Sequence, residues 1–151
     1  MRLSQQLSIS LLTPPSSDAE PTCRLFHNGR DTSLILPGAT LEAAIELPHG
    51  WLVFLTHDIP YEEGLEICLV SSTFELLDRA TLAAPYSTGA FENLEITSPT
   101  SLCFDFLGER PWQLDLLENP RFRLPVFTEP LGVQRPFGFK RHFLLNHRVL
   151  T

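Results

Sequence analysis

Long apolar runs are missing from this chain. None approaches the ~20 residues that a membrane-crossing helix needs, so no membrane partner is expected. The run Leu7-Ser8-Ile9-Ser10-Leu11-Leu12 follows Arg2 near the start. It is too short and too serine-rich for a secretory leader, and no clear small-residue cleavage site follows it. The expectation is a cytoplasmic protein. Cysteine is scarce: Cys23, Cys68 and Cys103 are odd in number and 45 and 35 residues apart. That spacing matches neither a disulfide framework nor a metal site, and it leans towards a reducing compartment. Cys68 and Cys103 fall inside predicted strands, where a free thiol behaves as a small apolar side chain.

Glycine is spread singly, as turn residues are. No Gly-x-Gly-x-x-Gly and no Gly-Lys-Ser/Thr pattern occurs, which argues against nucleotide chemistry. Ser71-Ser72-Thr73 lacks the Gly-x-Ser-x-Gly frame of a nucleophile elbow. His142 and His147 are five apart, not the i, i+4 pair that faces one metal from a helix. No cofactor and no metal site is expected.

What the chain does have is a beat of short apolar runs closed by turn signals. About ten such runs lie between Leu7 and Glu118. Leu7, Ile9 and Leu11 alternate with serines, the mark of a half-buried strand. Asn28-Gly29 separates Thr22–His27 from Arg30–Leu36 and predicts a type I′ hairpin, whose two central residues need positive φ. Leu41, Ala43, Ile45 and Leu47 alternate with Glu42, Ala44 and Glu46. Trp51–Thr56 is apolar on both faces, so it is expected at the centre of a sheet. Leu65–Leu69 follows. Phe74–Leu82 is read as its partner strand, although two turns of helix would also fit. Phe91–Thr97, Ser101–Leu107 and Trp112–Leu117 form a meander. With 151 residues the chain is one compact core in size. The predicted fold class is all-β: an antiparallel β-sandwich or barrel, jelly-roll-like, with an extended Pro/Phe/Arg-rich C-terminal arm.

That arm comes from the charge pattern. Residues 1–119 hold seventeen acidic and five basic groups, a net of −12; residues 120–151 hold six basic groups against Glu129, a net of +5; together they give the −7 of the chain. The tail also carries Pro120, Pro125, Pro130 and Pro136, spacing that resists both helix and sheet ladder. The division expected is a β-sandwich over 1–119 and a basic extended arm over 120–151, packed on the body or on a partner. The segment Phe139–Leu150 within it fits a short amphipathic helix or a last edge strand.

Exposed aromatic surface seeks burial, so the arm suggests protein association. The leading expectation is a non-enzymatic interaction or assembly module, homo-oligomeric or bound to another protein. Phe122, Phe127, Phe137 and Phe139 would be its anchors, and Arg121, Arg123, Lys140 and Arg141 would meet acidic partner surface. Basic residues among phenylalanines could also serve nucleic acid. A pI near 5.1 weighs against that partner, since the body would repel a polyanion. The alternative is a small-molecule-binding barrel or jelly roll, its cavity lined by Trp51, Phe54, Phe104 and Trp112. A third reading is an enzyme built on the densest polar loop. That loop offers His57, Asp58, Tyr61, Glu62 and Glu63, with His49 across a hairpin. Arg79 beside Asp78 reads as a solvent-facing pair of little energetic weight.

Overall fold

The computed structural model describes residues 1–16, 18–59, 62–84, 89–121, 129–136 and 140–149, with Arg121 as backbone only. Strands follow one another with no helix among these residues. They are β1 (Arg2–Leu3), β2 (Leu7–Thr13), β3 (Thr22–His27), β4 (Arg30–Pro37), β5 (Thr40–Leu47), β6 (Gly50–Thr56) and β7 (Leu65–Ser71). Then come β8 (Leu76–Leu82), β9 (Glu92–Ser98), β10 (Ser101–Asp105), β11 (Trp112–Arg121), β12 (Val133–Gln134) and β13 (Arg141–His147). Phe74–Leu82 is therefore a strand from Leu76 on, and the segment after Phe139 supplies a strand rather than a helix.

The strands make three antiparallel sheets, ordered β1-β5-β6-β7-β8-β12, β13-β11-β10-β9 and β2-β3-β4. Sequence neighbours mostly lie side by side, a meander rather than the crossed order of the two Greek keys in a jelly roll. The alternation of side chains shows how the sheets stack. The six-stranded sheet sends Ile45, Leu52, Phe54, Ile67, Leu69, Ala80 and Leu82 to one side, against Leu102, Phe104, Trp112, Leu114, Phe143 and Leu145 of the four-stranded sheet. It sends Ala44, Trp51, Val53, Leu55, Cys68 and Val70 to the other side, against Leu7, Cys23, Leu25 and Leu36 of the three-stranded sheet. The sandwich has three layers, not the expected two, because the middle sheet has two dry faces. Every residue of β6 is buried for this reason.

The hairpin at Asn28-Gly29 forms as its residues dictate: φ is 50° and 79°, and His27 pairs with Arg30. All three cysteines are free and buried. Phe54, Phe91 and Phe104 contact one another with ring centroids 5.1–5.6 Å apart, one aromatic knot tying the central sheet to the four-stranded one.

The last strands join the body sheets. β12 pairs with β8, Val133 opposite Leu82, and β13 pairs with β11, Trp112 opposite His147. β11 itself runs past residue 119 to Arg121, and its register with β13 breaks between Leu116 and Arg121. Pro120 lies in that break and has no N–H to give a ladder. No helix among the described residues is long and apolar enough to cross a membrane.

Candidate functional site

Three groupings of polar or aromatic side chains stand out. The first begins in the polar loop after β6. Glu63 organises the loop rather than facing solvent: its Oε1 accepts hydrogen bonds from the backbone N–H groups of His57, Asp58 and Gly64 at 2.8, 3.0 and 3.0 Å. The loop turns sharply at Asp58, whose φ is 57°. His57 points inward and its Nε2 lies 2.9 Å from Glu66 Oε1. Gly64 packs flat on the imidazole, where a Cβ would stand 2.6 Å from the ring.

Glu66 is the centre of this grouping. It sits on β7 with no exposed surface, among apolar neighbours. Arg79 donates to it from Nε at 3.0 Å and Nη2 at 3.2 Å, and the Thr81 hydroxyl donates at 2.8 Å. Burial works to raise its pKa, but the bonds from His57 and Arg79 outweigh that and hold it below the usual carboxylate range. The same bond from Glu66 raises His57 above its ordinary value, against desolvation. Glu20, on the β2–β3 connection, lies 3.8 Å from Arg79.

The structure thus brings His57 and Glu63 together and adds Glu66, Arg79 and Thr81. It does not bring His49 to them. His49 is exposed at the opposite end of β6, about 25 Å away along a strand that rises ~3.3 Å per residue. Asp58 and Glu62 are exposed, and Tyr61 lies outside the described residues. Among the described residues no three metal-ligating side chains converge on a point that could hold an ion. The cluster is a set of ion pairs and hydrogen bonds centred on Glu66, with Arg79 reaching out to the exposed Glu20.

The second grouping pins the tail. Arg135, fully buried, gives Nη2 to Asp78 Oδ2 at 2.5 Å and Nη1 to the Phe143 carbonyl at 3.2 Å, and its guanidinium lies 4.3 Å from the Phe143 ring centroid. Asp78 Oδ2 also accepts the His142 backbone N–H at 2.8 Å. Arg141, expected to meet an acidic partner, is fully buried; the carboxylate it approaches, at 3.4 Å, is Glu129 of its own chain. Lys140 is exposed. Phe122, Arg123, Phe127, Phe137 and Phe139 lie outside the described residues, as does the Arg121 side chain.

The third is a cleft of about 520 Å³ at one end of the sandwich. Its walls come from the end of β8 (Ala83, Ala84), from β12 and its approach (Leu131, Gly132, Val133, Gln134), from the β10–β11 turn (Leu107, Gly108), and from Trp112 and His147. The surface is mostly apolar. Trp112 is held rigidly: its Nε1 donates to the Phe106 carbonyl at 2.6 Å, and His147 stacks on it with ring centroids 4.1 Å apart. Burial, helped by Arg110, lowers the His147 pKa and so favours its neutral ring. Of the aromatics expected to line a cavity, only Trp112 does so here; Trp51, Phe54 and Phe104 fill the two cores.

Glu66, Thr81 and Arg135 belong to no motif in the sequence. A signal existed: a single charge in the strand Leu65-Glu66-Ile67-Cys68-Leu69-Val70 must find a partner once both faces are buried. No family model, no curated protein and no solved structure matches this chain.

Proposed function

We propose that the protein is a non-enzymatic binding module that takes a small, largely apolar ligand into the cleft between the central and four-stranded sheets. The observation carrying this reading is the cleft itself. Its size falls in the ~300–1,000 Å³ range of small-molecule sites, which are mostly apolar with a few fixed polar groups. Trp112 and its stacked His147 form a flat, preset wall against which a planar or cyclic molecule can lie. Gln134 is a further polar side chain in the lining.

The test is a ligand panel screened by quenching of tryptophan fluorescence, repeated with Ala84→Phe to fill the cleft. Quenching that saturates in the parent and disappears in Ala84→Phe supports the reading. A panel without any saturable response, or a response that Ala84→Phe leaves intact, removes it.

A second reading is association through the tail, with a second copy or another protein. What favours it is exposure: Leu131 is 98% and Val149 76% exposed, the two most exposed large apolar side chains among the described residues. In this reading Lys140, also exposed, is a further contact. Leu131→Ser with Val149→Ser should then weaken association, and an unchanged assembly would remove this reading.

A further inference from the structure

An exposed sheet edge is a row of unpaired N–H and C=O groups, and proteins ordinarily guard it with charge, proline, a bulge or extreme shortness. Most edges here are guarded. The central sheet ends in β1 and β12, two residues each. β4 carries Arg30, Asp31 and Pro37 and is kinked at Ser33, whose φ is 66°. β9 carries Glu92 and Glu95 and is kinked at Asn93, φ 56°. β13 presents the polar His142, Asn146 and His147, with Arg148 just past its end.

β2 is guarded least: its register with β3 shifts between Leu11 and Thr13, but from Leu7 to Leu11 the ladder is regular. Its seven residues, Leu-Ser-Ile-Ser-Leu-Leu-Thr, contain no charge and no proline. It is hydrogen-bonded to β3 on one side, and no described strand pairs with the other. Leu11 and Leu12, adjacent on this edge, are 47% and 44% exposed.

We infer that the protein pairs with a second copy of itself along β2, antiparallel about a twofold axis through Ser10, joining two three-stranded sheets into one continuous outer sheet. The register is self-complementary. With Ser10 on the axis, Ile9 of one copy faces Leu11 of the other, both within the regular part of the strand, so Leu11 gains cover and apolar meets apolar. Charge selects the same edge. A chain of net charge −7 repels its copy over most of its surface, and β9 would set glutamates against glutamates. An uncharged edge is where two such chains can approach. This surface is separate from both the cleft and the tail.

The test is the solution mass by light scattering across a concentration series. The expected mass for the parent is twice the 17.0 kDa of one chain. The Ser10 side chain is exposed, so replacing it does not touch the core. Ser10→Lys and Ser10→Asp each set like charges face to face on the axis and should each run as single chains. An equimolar mixture of the two should return to the double mass, because the axis then carries opposite charges. Circular dichroism and a melting curve on each variant show that the fold is kept. A parent that stays a single chain at every concentration overturns the inference. So does a double mass that persists in Ser10→Lys, or one lost in Leu131→Ser but not in Ser10→Lys, which moves the interface to the tail.

Discussion

Asp78 and Arg79 are sequence neighbours that never share a partner. Strand β8 turns them to opposite faces of the central sheet. Asp78 goes to the four-stranded side, where it holds Arg135; Arg79 goes to the three-stranded side, where it holds Glu66. An isolated Asp-Arg pair on a surface would be worth under ~1 kcal/mol. Asp78 instead ties Arg135 and the backbone of β13 to the middle sheet, whereas Arg79 braces β8 against β7 within that sheet, and that difference sets the first prediction.

Asp78→Asn should destabilise the protein by about 3 kcal/mol, because it takes the hydrogen-bonded counter-charge from the fully buried Arg135 guanidinium and leaves it the more distant Glu129 carboxylate at 4.0 Å. Urea unfolding would show this as a lower midpoint. Arg79→Gln should cost clearly less, since the Arg79 side chain keeps 28% exposure and water can reach the site. Equal losses for the two variants would contradict the asymmetry.

The Glu66 cluster predicts a pH dependence. Glu66 is held below its ordinary 4.5, so its contribution is present above that value and is lost as pH falls through the folded pKa. His57 is raised above its ordinary 6.5, so its contribution is complete below that value and is lost as pH rises through the folded pKa. The stability gap between the parent and His57→Gln should therefore be widest between about pH 5 and 6.5 and narrow on the alkaline side. Unfolding curves for both chains across that range decide it; a gap that widens above pH 6.5 would reverse the assignment.

Two glycines separate conformational strain from steric closure. At Gly29, φ is +79° and an added Cβ meets nothing, so Gly29→Ala should cost about 1–2 kcal/mol from the left-handed backbone alone. At Gly50 an added Cβ would collide with the Val70 carbonyl oxygen of the neighbouring strand. Gly50→Ala should cost more than Gly29→Ala, because β6 and β7 must move apart at the centre of the sheet. Comparing the two melting temperatures checks the order.

The three thiols should be inert in the folded protein. Cys23 is wholly buried, and burial pushes its pKa up to about 11 against a weak bond to the Leu36 carbonyl. Burial raises Cys68 and Cys103 as well. A disulfide reagent at pH 8 should label none of them quickly in the native state and all three after denaturation. Rapid native labelling at any of them would show that its layer opens.

The all-β class, the hairpin at Asn28-Gly29 and the central place of Trp51–Thr56 were legible in the sequence by itself. Each rests on a local rule: side-chain period, turn conformation, or an apolar run with no polar face. The third layer was not legible, because a strand with two dry faces says that something covers each face but not which segment does. The partners of the charges were hidden for the same reason. Glu66 meets Arg79, thirteen residues on, and Asp78 meets Arg135, fifty-seven residues on. Composition marked residues 120–151 as basic and aromatic. Only tertiary structure decided that Arg135 and Arg141 turn inward, because burying a charge depends on where a carboxylate from a distant strand arrives. The cleft is likewise tertiary: its walls come from four separate stretches of chain, and no one of them carries its shape.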